Sequence, residues 1–283
     1  MRDSLADLNI QQRQVVTTTK GPVLVLAGAG SGKTRALTHR IAYLLQQKQA
    51  TPRQIMAVTF TNKAARQMRE RVGALVGSQQ QMPSAIGTFH GLGARILRQQ
   101  AACHARSEHF VIMDTKDSER LIRQALRENK LSAREWKPAM LRHRISEAKH
   151  ALQSPDMMNE RQESFSDEVV AKVYRRYETL LAQHDAYDFD DFLAVPLTIL
   201  QQESHVRSFY QNLWRYVSVD EYQDTNALQD QFLHLILHPK ERNICVVGDD
   251  YQAIYSWRGA RVEHILCFEQ TYPDCTTIYL TQN

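Results

Sequence analysis

Cysteine is scarce in this chain, four in 283 residues (Cys103, Cys245, Cys267 and Cys275), and no two of them form a C-x-x-C pair. That excludes a metal centre built on paired thiolates and a small disulfide-stapled module. The expectation is reduced, mostly buried thiols. Long apolar runs are lacking as well. The longest nearly uncharged apolar stretch, Gly21 to Gly30, is too short for a bilayer-spanning helix, which needs about 20 residues. Met1–Gln12 is polar with charges of both signs, unlike a secretory signal, so a soluble cytoplasmic protein with no membrane partner is expected. There is no internal repeat, and no low-complexity tract beyond the glutamines at Gln79–Gln81. Core material, in contrast, is plentiful. With 43% hydrophobic and 23% charged residues the chain is neither a disordered tail nor a collagen-like fibre.

A strong excess of one charge is also missing: 35 basic against 31 acidic side chains leave +4. The distribution is uneven, however. Between Arg120 and Lys149 nine Lys/Arg face only Glu128, Glu135 and Glu147, so this stretch alone carries +6. A second basic run, Lys63, Arg66, Arg69 and Arg71 against Glu70, falls on a predicted helix. Clustered positive charge suits a polyanion such as nucleic acid, and it equally suits a solvated helix face; charge alone does not decide.

The first third of the chain alternates short apolar runs with helical periodicity. Val23–Leu26, Ile55–Phe60 and Ser84–Phe89 read as strands. Ala36, Leu37, Arg40, Ile41, Leu44 and Leu45 fall at helical spacing, and a helix from about Asn62 would bury Ala65, Met68, Val72 and Leu75. The last third resumes the alternation: strand Tyr216–Asp220, helix Ala227–Leu237, strand Ile244–Asp249, helix Val262–Gln270 and strand Thr276–Thr281. Strands separated by helices imply a parallel sheet. Between the thirds the periodicity is helical with no convincing strand, in stripes such as Leu121, Ile122, Ala125, Leu126 and Val169, Val173, Tyr174, Tyr177, Leu180. The expected fold class is therefore α/β, a core in two parts, 1–91 and 209–283, interrupted by an all-helical insertion, 92–208.

The sharpest local signal is Ala27-Gly28-Ala29-Gly30-Ser31-Gly32-Lys33-Thr34, after a strand and opening a helix. Small residues let backbone N–H groups converge on phosphate oxygens, and the helix N-terminus adds positive potential. In such a loop Lys33 reaches the β and γ phosphates and the Thr34 hydroxyl ligates Mg²⁺. Ala27 stands where the first glycine is usual. A Mg²⁺-nucleotide site also needs a carboxylate at a neighbouring strand end, and Val217-Ser218-Val219-Asp220-Glu221 offers two. Asp220 is the candidate for holding Mg²⁺, and Glu221 for orienting and deprotonating the attacking water. A nucleoside triphosphate is the expected ligand.

Together with their neighbours these residues resemble the UvrD/Rep/PcrA family of superfamily 1 DNA helicases, along nearly the whole chain. Leu8-Asn9-Ile10-Gln11-Gln12 is similar to the family's adenine-reading Q motif, with Ile10 where proline is frequent. The phosphate loop with Arg35 resembles motif I. Ala57-Val58-Thr59-Phe60-Thr61-Asn62-Lys63-Ala64-Ala65 resembles motif Ia, and Gly87-Thr88-Phe89-His90 the strand-borne motif that follows. Tyr187-Asp188-Phe189-Asp190-Asp191-Phe192-Leu193 is similar to the DFDDL segment, Asp220–Asn226 to motif II and Gly248–Ala260 to motif III. DEYQDTN and SWRGAR read nearest the Rep branch, from whose common Asp and Ser the residues Tyr251 and Ala253 depart.

The resemblance implies a RecA-like P-loop core with a helical insertion, binding ATP and Mg²⁺ and driving 3′-to-5′ translocation on single-stranded DNA with strand displacement at duplex junctions. Replication restart or repair, in company with replication or repair proteins near the nucleoid, is the implied setting. Gln12 and Arg35 would hold the adenine, and Gln252 would sense the γ-phosphate. Phe60, Thr61, Asn62, His90, Tyr255, Trp257 and Arg258 would face DNA, the aromatics by stacking on bases. The +6 stretch would face phosphates. Two other readings stay open: the helicase subunit of a RecB/AddA-type nuclease complex, and an ATP-gated single-strand binding module that does not unwind. Leu280-Thr281-Gln282-Asn283 resembles the start of motif IV, which in the family runs on into Tyr-Arg. The expectation is the N-terminal half of a longer helicase, without the second core, folded but close to inactive alone.

Overall fold

Five consecutive aliphatic or small residues leave a strand no polar face to give to solvent, and Val23–Ala27 accordingly forms β1 in the interior of a sheet. The computed structural model describes residues 5–77, 81–160, 164–249 and 263–281. It divides into two compact units, Met1–Leu92 with Glu203–Asn283, and Gly93–Gln202.

In the first unit α1 (Ile10–Thr17) precedes β1, followed by α2 (Lys33–Gln46), β2 (Ile55–Thr59), α3 (Asn62–Val76), β3 (Ala85–Thr88) and the start of α4 (Phe89–Gln99). The second unit holds β4 (Val111–Ile112), α5 (Thr115–Glu128), α6 (Pro138–His150), α7 (Pro155–Glu160), α8 (Phe165–Gln183), β5 (Ala186–Tyr187) and α9 (Asp191–Gln202). The chain then returns through α10 (Ser204–Leu213), β6 (Tyr216–Val219), α11 (Ala227–Ile236), β7 (Ile244–Gly248), the short helices α12 (Glu263–Leu266) and α13 (Phe268–Thr271), and β8 (Thr276–Leu280).

The sheet order is β3-β2-β6-β7-β1-β8, with every pair parallel. Register places Val25 beside Val247 and Ile278, and Val219 beside Val246. Parallel strands put all their carboxyl ends on one edge, so the segments following β1, β2, β3, β6 and β7 collect there, where α/β sheets bind ligands. Ala36, Leu37, Ile41 and Leu44 of α2 and Met68, Val72 and Val76 of α3 close over β1 and β2. Leu75, expected inside, is only half-buried, and Val76 takes the inward position. The second unit has its own core, in which Leu121, Ile122, Leu126, Leu141, Ile145, Val173 and Tyr177 pack together.

Several expectations need correction. The insertion is not all-helical: Val111–Ile112 pairs in parallel with Ala186–Tyr187. Two-residue strands are too short to leave an alternating pattern, and their partners are far apart in sequence. The helix expected at Val262–Gln270 is, over the described residues from Glu263 on, two pieces broken at Cys267, whose carbonyl accepts from Gln270 N and Thr271 N. The strand at Ser84–Phe89 stops at Thr88; the Phe89 ring is buried edge-on against Phe60 and Phe232, and helix starts there. Only Cys245 of the four free thiols is buried, and Cys267 is exposed. The basic stretch is not one solvent-facing surface. Lys149 is buried against Asp188, Asp191 and Glu178, Arg144 pairs with Asp167, and Arg123 and Arg142 both reach Glu119.

Candidate nucleotide-binding site

Ala27 is the last residue of β1, and its carbonyl accepts from Lys33 Nζ at 3.1 Å. The contact is to backbone, so alanine serves there as well as glycine. Gly28, Ala29 and Gly30 are exposed, and the Ser31 hydroxyl donates to the Gly28 carbonyl at 2.7 Å, closing the loop on itself. Gly32 caps α2 at φ +86°, and a Cβ there would meet Gln12 Nε2 at 2.5 Å, so only glycine fits. That contact exists because Gln12 is the third residue of the capping box opened by Asn9, with Gln12 N donating to Asn9 Oδ1 at 2.8 Å. Its amide Nε2 then donates to the Ser31 carbonyl at 3.1 Å, linking α1 to the loop. Arg35 is exposed and donates to the Asp7 carbonyl at 2.5 Å.

From β6, two strands from β1, come the acids. Thr34 Oγ1 donates to Asp220 Oδ2 at 3.0 Å, and Asp220 N donates to the Val58 carbonyl at 3.0 Å. Asp220 is 3% exposed, and its Oδ1 has no hydrogen-bond partner among the described residues. Burial and the adjacent Glu221 charge lift its carboxyl to about 6, against the pull of Thr34 and Lys33. Lys33 Nζ lies 3.5 Å from Asp249, at the end of β7, and 3.8 Å from Glu221. An orphaned carboxylate oxygen beside a hydroxyl, next to a lysine and an open glycine loop, fits Mg²⁺ with a polyphosphate: a hard cation takes oxygen ligands, and the loop offers N–H groups.

Glu221 sits in left-handed backbone at φ +52°, strained for a residue with a side chain. Gln223, 2% exposed, stabilises the turn, donating to Glu221 Oε2 at 2.9 Å and accepting from Asp249 N at 3.1 Å. A Cβ on Gly248 would lie 2.6 Å from Gln223 Oε1, so this bridge depends on glycine at the end of β7. Asp224, beside them, is likewise raised to about 6 by burial and Glu221.

The structure thus brings together Gln12, the 27–34 loop, Arg35, Asp220 and Glu221. Phe60, Thr61, Asn62 and His90 lie on the same sheet edge, after β2 and β3, with some side chains already engaged. Thr61 Oγ1 caps α3 by accepting from Ala64 N at 3.1 Å; Phe60 is half-buried and edge-on to Phe89, ring centres 6.1 Å apart. Asn62 is exposed, and His90 stands in the first turn of α4 rather than on a strand. Gln252, Tyr255, Trp257 and Arg258 lie outside the described residues. Sequence reasoning assigned no role to Asp249 or Gln223. Asp249 carries the same signal as Asp220, an acid at the end of an apolar strand; Gln223 has none, because a glutamine two residues after an acid is common.

Sheet order, phosphate loop and strand-end acids are those of a RecA-like P-loop core. Residues 8–273 match the UvrD/REP helicase N-terminal domain, and the chain belongs to that family. Over all 283 residues it is 42% identical to proteins named ATP-dependent DNA helicase PcrA from Staphylococcus aureus strains Mu50 / ATCC 700699 and NCTC 8325 / PS 47, and 41% identical to one from Staphylococcus epidermidis strain RP62A. The match covers the whole of this chain and 38% of each relative.

Proposed function

We propose that this chain is the ATP-binding part of an ATP-dependent DNA helicase that moves 3′-to-5′ on single-stranded DNA and opens duplex junctions during replication restart or repair, in the cytoplasm at the nucleoid. No helix among the described residues is long and apolar enough to cross a membrane. The observation that carries the reading is the convergence of Lys33, Thr34, Asp220, Glu221 and Asp249 at one sheet edge, with Thr34 Oγ1 3.0 Å from Asp220. Helicase activity itself comes from the relatives' names.

In this reading the 28–34 backbone and Lys33 bind the β and γ phosphates, Thr34 and Asp220 hold Mg²⁺, and Gln12 and Arg35 hold the adenine. Bound Mg²⁺ would neutralise charge on the phosphate oxygens. Glu221 orients a water against the γ-phosphorus and takes its proton as the bond to the ADP oxygen breaks. Gln252 senses the γ-phosphate. Phe60, Thr61, Asn62, His90, Tyr255, Trp257 and Arg258 face single-stranded DNA, where stacked bases tolerate any sequence. The test is strand displacement and ATP turnover by the full-length protein on partial duplexes with 3′ or 5′ tails. Unwinding from the 3′ tail, with turnover stimulated by single-stranded DNA, is expected. Turnover indifferent to DNA would overturn the helicase reading.

A further inference from the structure

Behind the turn that carries Glu221 lies a cluster of polar side chains that nucleotide binding does not use. Asp230, in the first turn of α11, is its hub. Tyr222 Oη donates to Asp230 Oδ1 at 2.6 Å. The other oxygen, Oδ2, lies 3.3 Å from His234 Nε2, one turn along α11, and 3.5 Å from His264 Nδ1 on α12. Tyr272, after α13, reaches His234 Nδ1 through its hydroxyl at 2.8 Å and stacks on the imidazole, and the Arg242 guanidinium lies over the Tyr272 ring at 6.0 Å. Burial opposes the Asp230 charge, but hydrogen bonds from His234 and Tyr222 hold its carboxyl below the usual range.

An acid in the first turn of a helix is commonly there for the helix dipole alone. Asp230 differs, because its oxygens are occupied by side chains from two other elements, the turn after β6 and α12. The turn needs such restraint. Glu221 is held in left-handed backbone, and that conformation persists only where the surroundings over-determine it. Gln223 restrains it from the β7 side through Asp249 N. Tyr222 is the restraint on the other side, its ring buried edge-on to Phe268 at 5.7 Å and its hydroxyl tied to Asp230.

We propose that Asp230 is a positioning residue for ATP hydrolysis, fixing Tyr222, and through it the strained turn that aims Glu221, against α11 and α12. The proposal rests on Glu221 being the base. Asp230 touches no substrate; it acts through Tyr222, so its removal loosens the aim of Glu221 and leaves the phosphate loop intact.

The experiment measures DNA-stimulated ATP hydrolysis and Mg²⁺-nucleotide binding in the full-length protein. Asp230→Ala is expected to lower kcat about 10- to 100-fold with KM and nucleotide affinity unchanged, the effect of a small misplacement of a reacting group. Tyr222→Phe should do the same, and the double variant should lose no more than the larger single. Asp230→Asn, which keeps an oxygen for the Tyr222 hydroxyl, should recover most of the loss. Placed on Glu221→Gln, Asp230→Ala should cause no further fall. Equal losses in kcat and nucleotide affinity, tracking a lowered Tm, or additive effects of the two single substitutions, would make Asp230 a structural residue and overturn the proposal. Near-normal turnover of Glu221→Gln alone would overturn the assignment of the base, and the proposal with it.

Discussion

Among the described residues a buried lysine faces clustered carboxylates twice, and the two clusters are built for different ends. In the helical unit Lys149 Nζ lies 2.7 Å from Asp188, 2.7 Å from Asp191 and 2.8 Å from Glu178, and Tyr177 donates to Asp188 at 2.9 Å. Burial alone would push the ammonium down, but the three acids hold it well above the usual lysine range. On the sheet edge Lys33 stands 3.5 and 3.8 Å from its two acids, while Asp220 keeps an oxygen with no partner among the described residues. The first cluster is closed at contact distance and works as a rivet between α6, α8 and the start of α9. The second is loose, lies beside an open glycine loop, and leaves donors and acceptors for a ligand. Ion-pair distance, not burial, is what separates the two clusters, since both lysines are less than 10% exposed.

The largest effect that would sharpen this contrast is on chemistry. Glu221→Gln in the full-length protein should keep nucleotide affinity and lose turnover about 10²- to 10⁴-fold, because an amide cannot accept the water's proton. Steady-state kinetics with a parallel binding titration checks it. Next comes stability. Lys149→Ala leaves buried carboxylates uncompensated and should destabilise the helical unit by about 3–5 kcal/mol, read by denaturant unfolding. Lys33→Ala should destabilise its unit less while greatly weakening ATP binding. If the two substitutions reduce stability equally, the distinction between rivet and site fails.

A smaller effect concerns pH. In the proposed site Asp220 would hold Mg²⁺ as the carboxylate, and burial with the neighbouring Glu221 charge pushes its carboxyl up to about 6, so Mg²⁺-nucleotide affinity should fall as pH drops through about 6. The same raised value means that the folded state binds more protons than the unfolded state between about pH 4 and 6, so this group's contribution to stability declines as pH rises through that window. Asp220→Asn should flatten both trends, measured by titration calorimetry and melting. The smallest effect expected is from Gly248→Ala, where the new methyl displaces Gln223. A stability loss of about 1–3 kcal/mol with reduced kcat is expected, from the same unfolding and kinetic assays.

Much of the sheet was readable residue by residue. β1, β2, β6, β7 and β8 came from apolar runs bounded by turn residues, and the loop at Ala27–Thr34 from its glycines and its place between strand and helix. What escaped were features with no local period. β4 and β5 are two residues each and pair across a separation of 75 in sequence, so neither carries an alternating pattern. Lys149 reads as one more basic residue in a charged helix; only the return of Asp188, just after β5, and of Asp191, at the start of α9, buries it.

The sequence by itself marked out the phosphate loop and the acids at the end of β6 as candidates for chemistry. A lysine and threonine after a glycine loop, and acids ending an apolar strand, have few other uses together, because phosphate binding needs bare backbone N–H groups and metal binding needs hard oxygens. Tertiary structure alone decided which charges are free to act. Parallel pairing brought Asp249 to Lys33 and placed Asp220 within reach of Thr34, and it gave the Glu221 turn its restraints from Gln223 and Asp230. Partners that stand far apart along the chain leave no mark on local pattern, and the charge of a side chain depends on the neighbours that burial assigns to it.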